Sequence, residues 1–340
     1  MILVGDIGGT NTTLAAIEYT ADRFEVKARE RFSTSELEGL SDALDRFRER
    51  HGDLWTRKEL ACFSVAGPVR DNVCRMTNVH FTIRGDEVER QTGVRTYIIN
   101  DFSAICYALP LLDTHEHIDT ITIAHPDGSR PTSHGSVRAV VGAGTGLGTG
   151  YLIEDQGHYA AHASEGGHSD FPATDDLSMD FVRYLRGRFE IPPGVEQYVS
   201  GQGITNGFSF LLDTGRIKRD AEVDRIAALP DTDKPGAIAG AASSHEGLAE
   251  VMRLFVRLYA QYARNTAIFF LPAGGLYLAG GIAAKNEAWF TRDDLFMRTF
   301  ETNYNDRITP LLHETPVVLI KDYDVSLYGA AHAAVSLAQS

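Results

Sequence analysis

Several short runs in this chain carry residue types and spacings that chemistry can use. The first, Asp6-Ile7-Gly8-Gly9-Thr10-Asn11, follows the apolar stretch that starts at Ile2. Glycines let backbone N–H groups approach anionic oxygens, and Thr10 and Asn11 can donate further hydrogen bonds. Asp6 can hold a magnesium ion, directly or through water. Together these suit a phosphate tail, although a plain hairpin turn would use the same Gly-Gly pair. A second run, Gly142-Ala143-Gly144-Thr145-Gly146-Leu147-Gly148, fails the G-x-G-x-x-G dinucleotide pattern: the third glycine is out of place, and a β-like stretch follows instead of a helix. No G-x-x-x-x-G-K-[ST] occurs. Two Gly-rich hairpin turns, one per half, can instead face each other across a cleft.

Other runs carry the acids. Asp101 in Ile99-Asn100-Asp101-Phe102 stands at a strand-to-helix junction, where an acid either caps the helix or accepts a proton from an attacking hydroxyl. Glu165-Gly166-Gly167-His168-Ser169-Asp170 reads as an exposed turn with polar side chains suited to sugar hydroxyls. His162, Glu165 and His168 also have H-x-x-E-x-x-H spacing, but no second ligand cluster accompanies them. Thr114-His115-Glu116-His117 reads as a solvated loop. Glu196 in Glu196-Gln197-Tyr198-Val199-Ser200-Gly201 reads as a surface acid. Gly280-Gly281 is either a turn over a nucleotide or plain packing.

The frame for these runs is an ordinary globular chain. It has 340 residues, 43% hydrophobic and 23% charged, which argues against disorder, collagen and coiled coil. Lys and Arg total 32 against 46 Asp and Glu, giving a net charge of −14. That balance disfavours nucleic acid and anionic membranes as partners. No stretch approaches the ~18 apolar residues of a membrane span. An acid at position 6 and no basic leader predict a cytoplasmic protein. Cys62, Cys74 and Cys106 form no C-x-x-C pair and read as reduced thiols without zinc.

The elements that must position these residues follow from patterning. Strands are predicted over Ile2–Asp6, Thr13–Tyr19 and Arg23–Phe32 as an antiparallel meander. A helix is predicted over Ser35–Arg50, with Ser35 and Glu38 as a capping box and Gly52 as its stop. Next come a strand at Leu60–Ala66, a hairpin at Asp71-Asn72, a strand at Val94–Asn100 and a helix at Phe102–Leu111. Residues 112–136 read as a linker. Strands at Val137–Val141, Leu147–Glu154 and His158–Ala163 then repeat the opening plan. Leu177, Phe181, Leu185 and Phe189 mark a helix, and Glu246–Phe270 a long buried one. Strands at Gly275–Ala279 and Val317–Lys321 precede a small-residue helix over Leu327–Ala338.

Taken in order, eight blocks resemble the bacterial glucokinase family, within the hexokinase and actin-like ATPase superfamily. They are V-G-D-I-G-G-T-N at 4–11, A-G-P-V at 66–69, M-T-N at 76–78, I-I-N-D-F at 98–102, G-A-G-T-G-L-G at 142–148, S-E-G-G-H-S-D-F at 164–171, E-Q-Y-V-S-G-Q-G at 196–203 and L-A-G-G-I at 278–282. The resemblance implies an α/β fold of two ribonuclease H-like (actin-like ATPase) domains around a central cleft. The small domain would hold 1–111 plus 322–340, and the large one 112–321. It also implies ATP-dependent phosphorylation of D-glucose to glucose 6-phosphate, the entry step of glycolysis, with magnesium.

On that resemblance Asp101 is the general base, and Asn100, Asp101, Glu165, His168 and Glu196 contact the sugar. Gly5, Asp6, Ile7, Gly8, Gly9 and Thr10 form the first phosphate loop, with Asp6 reaching magnesium through water. Gly144 and Thr145 form the second loop, and Gly280 and Gly281 the adenosine-side turn. Partners are glucose and ATP, with a homodimer expected and neither nucleic acid nor membrane. Two departures stand out: Thr13 where many relatives carry Arg, and His80-Phe81 where an aromatic often follows M-T-N. The zinc-binding cysteines of the related repressor/kinase sugar family are absent. The rival readings are a kinase for another hexose, a sugar-sensing regulator without turnover, and an actin-like filament or chaperone ATPase.

Overall fold

The computed structural model describes residues 1–20, 23–76, 81–115, 118–322 and 324–339. Contacts divide it into two units: 1–118 with 150–163 and 322–340, and 119–149 with 164–321. The expected small domain, 1–111 plus 322–340, falls inside the first unit. The segment 150–163, expected in the large domain, also groups with the first unit.

The first unit is built on a five-stranded sheet. Strands β1 (Ile2–Ile7), β2 (Asn11–Thr20) and β3 (Arg23–Ser33) form the expected meander. β4 (Leu60–Val65) then runs parallel to β1. A small sheet of β5 (Val69–Arg70), β6 (Val73–Arg75) and β7 (Thr82–Arg84) follows. Its tight turn at Asp71 and Asn72 has φ of 51° and 59°, the left-handed pair that a two-residue hairpin loop demands. β8 (Arg95–Asn100) completes the main sheet, whose order is β3-β2-β1-β4-β8. β1 is buried along nearly its whole length, as a strand covered on both faces must be. Helices Asp101–Ala108 and Val325–Gln339 pack against each other, and the second covers β1 and β4. Gly329 makes that fit possible: a Cβ there would lie 1.8 Å from the Ala104 carbonyl oxygen.

The second sheet has six strands in the order β12-β11-β10-β13-β14-β9. They are β9 (Thr120–Thr122), β10 (Val137–Ala143), β11 (Leu147–Asp155), β12 (His158–Ser164), β13 (Leu276–Ala279) and β14 (Val317–Ile320). β10, β13 and β14 are parallel. Ignoring β9, the order is third, second, first, fourth, fifth, as in the first sheet, so the weak sequence repeat is realised in topology. The long helix spans Glu246–Phe270, and its Tyr259 hydroxyl donates to the Val141 carbonyl at 2.9 Å. No helix among the described residues is long and apolar enough to cross a membrane.

Several expectations need correction. No capping box forms at Ser35: Thr34–Glu36 is a 3-10 turn, the helix runs Leu40–Arg50, and Gly39 precedes it without a side-chain cap. Gly52 begins a short second helix, Gly52–Thr56, because His51 already closes the first on the Phe47 carbonyl. The stretch 112–136 is not all linker; β9 pairs antiparallel with β14. Phe189 lies beyond its helix, which ends at Arg186. His115 is not in solvent. It is buried, its Nε2 accepting from the Phe24 N–H at 3.3 Å. Glu116 and His117, and Thr77, Asn78 and His80, lie outside the described residues.

Candidate active site

In the first unit, Asp6 is the penultimate residue of β1 and Asp101 directly follows β8, two strands of one sheet. Parallel pairing carries the register from β1 through β4 to β8, aligning Asp6 with Ser64 and Val65 with Asn100. Asp6 accepts from Ser326 Oγ at 2.8 Å and Ser64 Oγ at 3.3 Å. Burial pushes its pKa above the ordinary value, and the two hydroxyls pull the other way. Neither serine stood in a recognisable motif. Ser326 sits 320 residues away on the last helix, and only packing brings it to Asp6.

Asp101 is the first residue of its helix, not the cap. Asn100 is the cap: its Oδ1 accepts from Phe102 N–H at 2.9 Å and Ser103 N–H at 3.4 Å, while its Nδ2 donates to the Gly67 carbonyl at 3.1 Å. Asp101 Oδ1 also takes the Phe102 N–H, at 3.0 Å. Its pKa is raised to about 6, mainly by burial, with the charge of Asp6 adding to the rise and the Phe102 N–H opposing it. A carboxylate near that value is largely ionised at neutral pH yet more basic than an exposed one. It is suited to accept a proton from a hydroxyl.

The first Gly turn is tied down locally. The Gly8 N–H donates to Asn11 O at 2.8 Å, and Thr34 Oγ1 donates to Gly8 O at 2.8 Å. Gly5 lies within β1, where a Cβ would come within 2.8 Å of both Phe63 and Leu14, and Ile7 is fully buried. These two support the turn from the core side, and Gly9 and Thr10 form its surface.

In the second unit, Gly144 and Thr145 make the turn between β10 and β11, and Gly144 O receives the Gly201 N–H at 2.8 Å. That bond seats the N-terminus of helix Gly201–Asp213 beside the loop, the arrangement that favours anionic oxygens. Together they border a cavity of about 640 Å³, which Gln202, Asp231, Gly281, Lys285 and Asn286 also line. Its volume lies within the range of small-molecule and cofactor sites. Gly280 has φ of +91°, and its missing Cβ would lie 2.5 Å from the Ala143 carbonyl oxygen, so this position tolerates only glycine. Gln202, Asp231, Lys285 and Asn286 escaped the sequence reading of this cavity, because single polar residues in ordinary helices and loops give no spacing signal.

The acids of this unit differ in setting. Glu196 Oε2 accepts the Leu147 N–H at 3.0 Å, tying its turn to the start of β11. Glu165 and His168 lie 3.6 Å apart with exposed side chains on one 3-10 turn. His162, which groups with the first unit, stacks on Tyr151. The turn at 165–168 rests on Gly167, whose Cβ would meet the Leu147 carbonyl oxygen at 2.0 Å.

A family model described as glucokinase matches residues 3–337. The chain belongs to the glucokinase family. It is 31% identical to a glucokinase of Nostoc punctiforme and 32% identical to one of Marinobacter nauticus, covering 99% and 97% of this chain and 99% and 96% of those proteins. Solved glucokinases share the fold: one from an Antarctic psychrotroph with a TM-score of 0.82 at 24% identity, covering 98% of both chains. A repressor/kinase-type glucokinase from Streptomyces griseus, in complex with glucose and AMPPNP, gives 0.63 at 18% identity over 98% of this chain and 99% of that one. All three cysteines of this glucokinase-family chain are buried free thiols.

The raised pKa of Asp101 sets the expected pH dependence of a reaction in which it takes a proton. If Asp101 is that base, kcat/KM for glucose, which reports groups of the free enzyme, is expected to be flat above about pH 7 and to fall tenfold per unit below about pH 6. A kcat/KM profile with its limb centred below pH 5 would contradict this setting for Asp101.

Proposed function

We propose that this chain is a glucokinase that transfers the γ-phosphoryl group of ATP to the 6-hydroxyl of D-glucose. The observation that carries the reading is Asp101, a partly buried carboxylate with its pKa raised to about 6, standing in the N-D-F block of a chain that matches the family from end to end. Asp101 accepts the 6-hydroxyl proton as that oxygen attacks phosphorus. Asn100, Glu165, His168 and Glu196 orient the sugar. The Gly8–Thr10 turn, Gly144, Thr145 and the start of the helix at Gly201 receive the phosphates, and the 640 Å³ cavity takes the adenosine end beside Gly280 and Gly281. Phosphoryl transfer asks little covalent chemistry of the protein, so positioning and electrostatics do the work.

The repeated strand order supports two ribonuclease H-like domains of the actin-like ATPase type. Asp6 fits a magnesium site. Its buried carboxylate carries hydroxyl partners from Ser64 and Ser326 and lies close enough to Asp101 for their charges to interact, so a divalent ion there would offset two negative charges. When bound, the ion supplies charge neutralisation on the phosphates. Cytoplasmic location and a homodimer complete the proposal.

A coupled assay with Mg-ATP and a panel of hexoses tests it. Glucose turnover is the expected result. Robust turnover of another hexose instead would make the chain a different sugar kinase, and no turnover at all would leave the sugar-sensing regulator. Within the same assay, Glu165→Gln is expected to raise the glucose KM roughly 10–150-fold, the equivalent of one lost charge-assisted hydrogen bond, while leaving the ATP KM within about threefold. An unchanged glucose KM and kcat would remove Glu165 from the site.

A further inference from the structure

Away from these residues, the second unit holds a second cluster of chemistry-bearing side chains. His125 and Asp127 lie in the turn after β9, Glu301 ends the helix Leu295–Glu301, and His313 ends the helix Thr309–His313. One ligand atom from each of His125, Glu301 and His313 lies within 4.8 Å of the others. We propose that His125, Glu301 and His313 form a binding site for a divalent transition-metal ion of the zinc class, with Asp127 orienting His313.

Three donors from separate segments converge on one place. Glu301 Oε1 hydrogen-bonds His125 Nδ1, and the same oxygen faces His313 Nδ1 at 3.6 Å. The other nitrogen of His313, Nε2, faces Asp127 Oδ2 at 3.4 Å. The Ser129 N–H holds Asp127 in place at 2.9 Å. With Asp127 on the Nε2 side of His313, the Nδ1 side faces Glu301 Oε1 and His125 Nδ1, where a cation would find two imidazole nitrogens and a carboxylate oxygen together. A carboxylate holding the far N–H of a ligating imidazole is the usual support of a metal site. Two imidazoles and one carboxylate suit zinc, leaving a fourth position for water.

Geometry and partners also bound the affinity. Donors around tetrahedral zinc stand roughly 3.3–3.5 Å apart given bonds of about 2.0–2.1 Å. The separations here reach 4.8 Å at most, so the widest pair must close by up to about 1.5 Å, which the partly exposed His313 ring can supply, while the hydrogen-bonded His125–Glu301 pair must open. His125 Nε2 is buried and has no partner among the described residues. Ligation through Nδ1 leaves that nitrogen protonated and unpaired. We therefore expect binding roughly 10–100-fold weaker than at a site with both imidazoles anchored. The ion would pin the turn after β9 to the ends of two helices.

The test uses the full-length protein, freed of metal with a chelator and titrated with cobalt(II) chloride and then zinc sulfate. Expected are the intense visible bands of four-coordinate cobalt at about one ion per chain, their loss on adding zinc, and persistence in excess magnesium. His313→Ala should weaken cobalt binding at least about tenfold, and Asp127→Asn by roughly 10-fold. Glucose turnover should be unchanged in both variants. His313 is partly exposed, so its replacement should leave the circular dichroism of the wild type; if Glu301→Gln fails to fold, these two variants still decide. No cobalt band at sub-millimolar metal would overturn the site. So would binding that His313→Ala leaves intact, which would place the ion elsewhere, as at Asp6.

Discussion

Replacing Asp101 by asparagine is expected to lower kcat by about 10²–10⁴, the loss typical of a removed general base. The helix start should survive, because the cap is Asn100, and the amide oxygen of the variant can still accept the Phe102 N–H. The variant is also expected to be more stable than the wild type at neutral pH. The folded pKa of Asp101 stands above its ordinary value of 3.8, so ionising the group costs folding free energy. That cost is absent below about pH 4 and complete above about pH 6, on the order of 3 kcal/mol at most for a shift of about two units. Asparagine removes it. Turnover and thermal shift with and without glucose check both parts. Retention of more than about a tenth of wild-type kcat would end the assignment of Asp101 as base. A folded, glucose-responsive, slightly stabilised and nearly inactive variant would support it.

Gly167→Ala is the second large effect expected. The added methyl would stand 2.0 Å from the Leu147 carbonyl oxygen. Real contacts of that kind lie beyond 3 Å, so the turn carrying Glu165 and His168 must move about 1 Å away from the start of β11. Misplacing a substrate-positioning group by that distance can cost about 10²-fold in rate. The loss should fall on kcat/KM for glucose, with ATP binding little changed. Gly187→Ala, where the nearest atom is 3.5 Å from the new Cβ, serves as the control. Near-normal kcat/KM in Gly167→Ala would show that this turn does not hold the sugar.

Much of the fold was legible because local physics and tertiary context agreed. The meander at the N-terminus, the Asp71-Asn72 hairpin and the helix at Glu246–Phe270 each follow from spacing alone, and each is found. The failures came where a local signal had a competitor. Ser35 and Glu38 matched a capping pattern, yet the chain uses Thr34 to bond Gly8 and Thr12, which holds that segment in a 3-10 turn. His115 stood in a polar run and read as solvated, but Phe24 and Leu111 supply it with partners inside the first unit.

The sequence by itself determined the chemical inventory: two Gly-rich turns, an acid after each of two strands, and polar turns at 165–168 and 196. Glycine and acid spacing carries that information because turns and strand ends are local events. Only the tertiary structure decided the setting of each group. Asp101 became a basic carboxylate rather than a cap because parallel pairing of β1, β4 and β8 brings Asp6 near it and burial strips its water. Ser326 became a partner of Asp6 because the last helix, with Gly329 pressed against Ala104, returns to the first sheet. The cavity at Gly144, Gly201 and Lys285 joins residues more than a hundred positions apart. Burial, charge proximity and close backbone approach depend on distances through space, and spacing along the chain does not encode them.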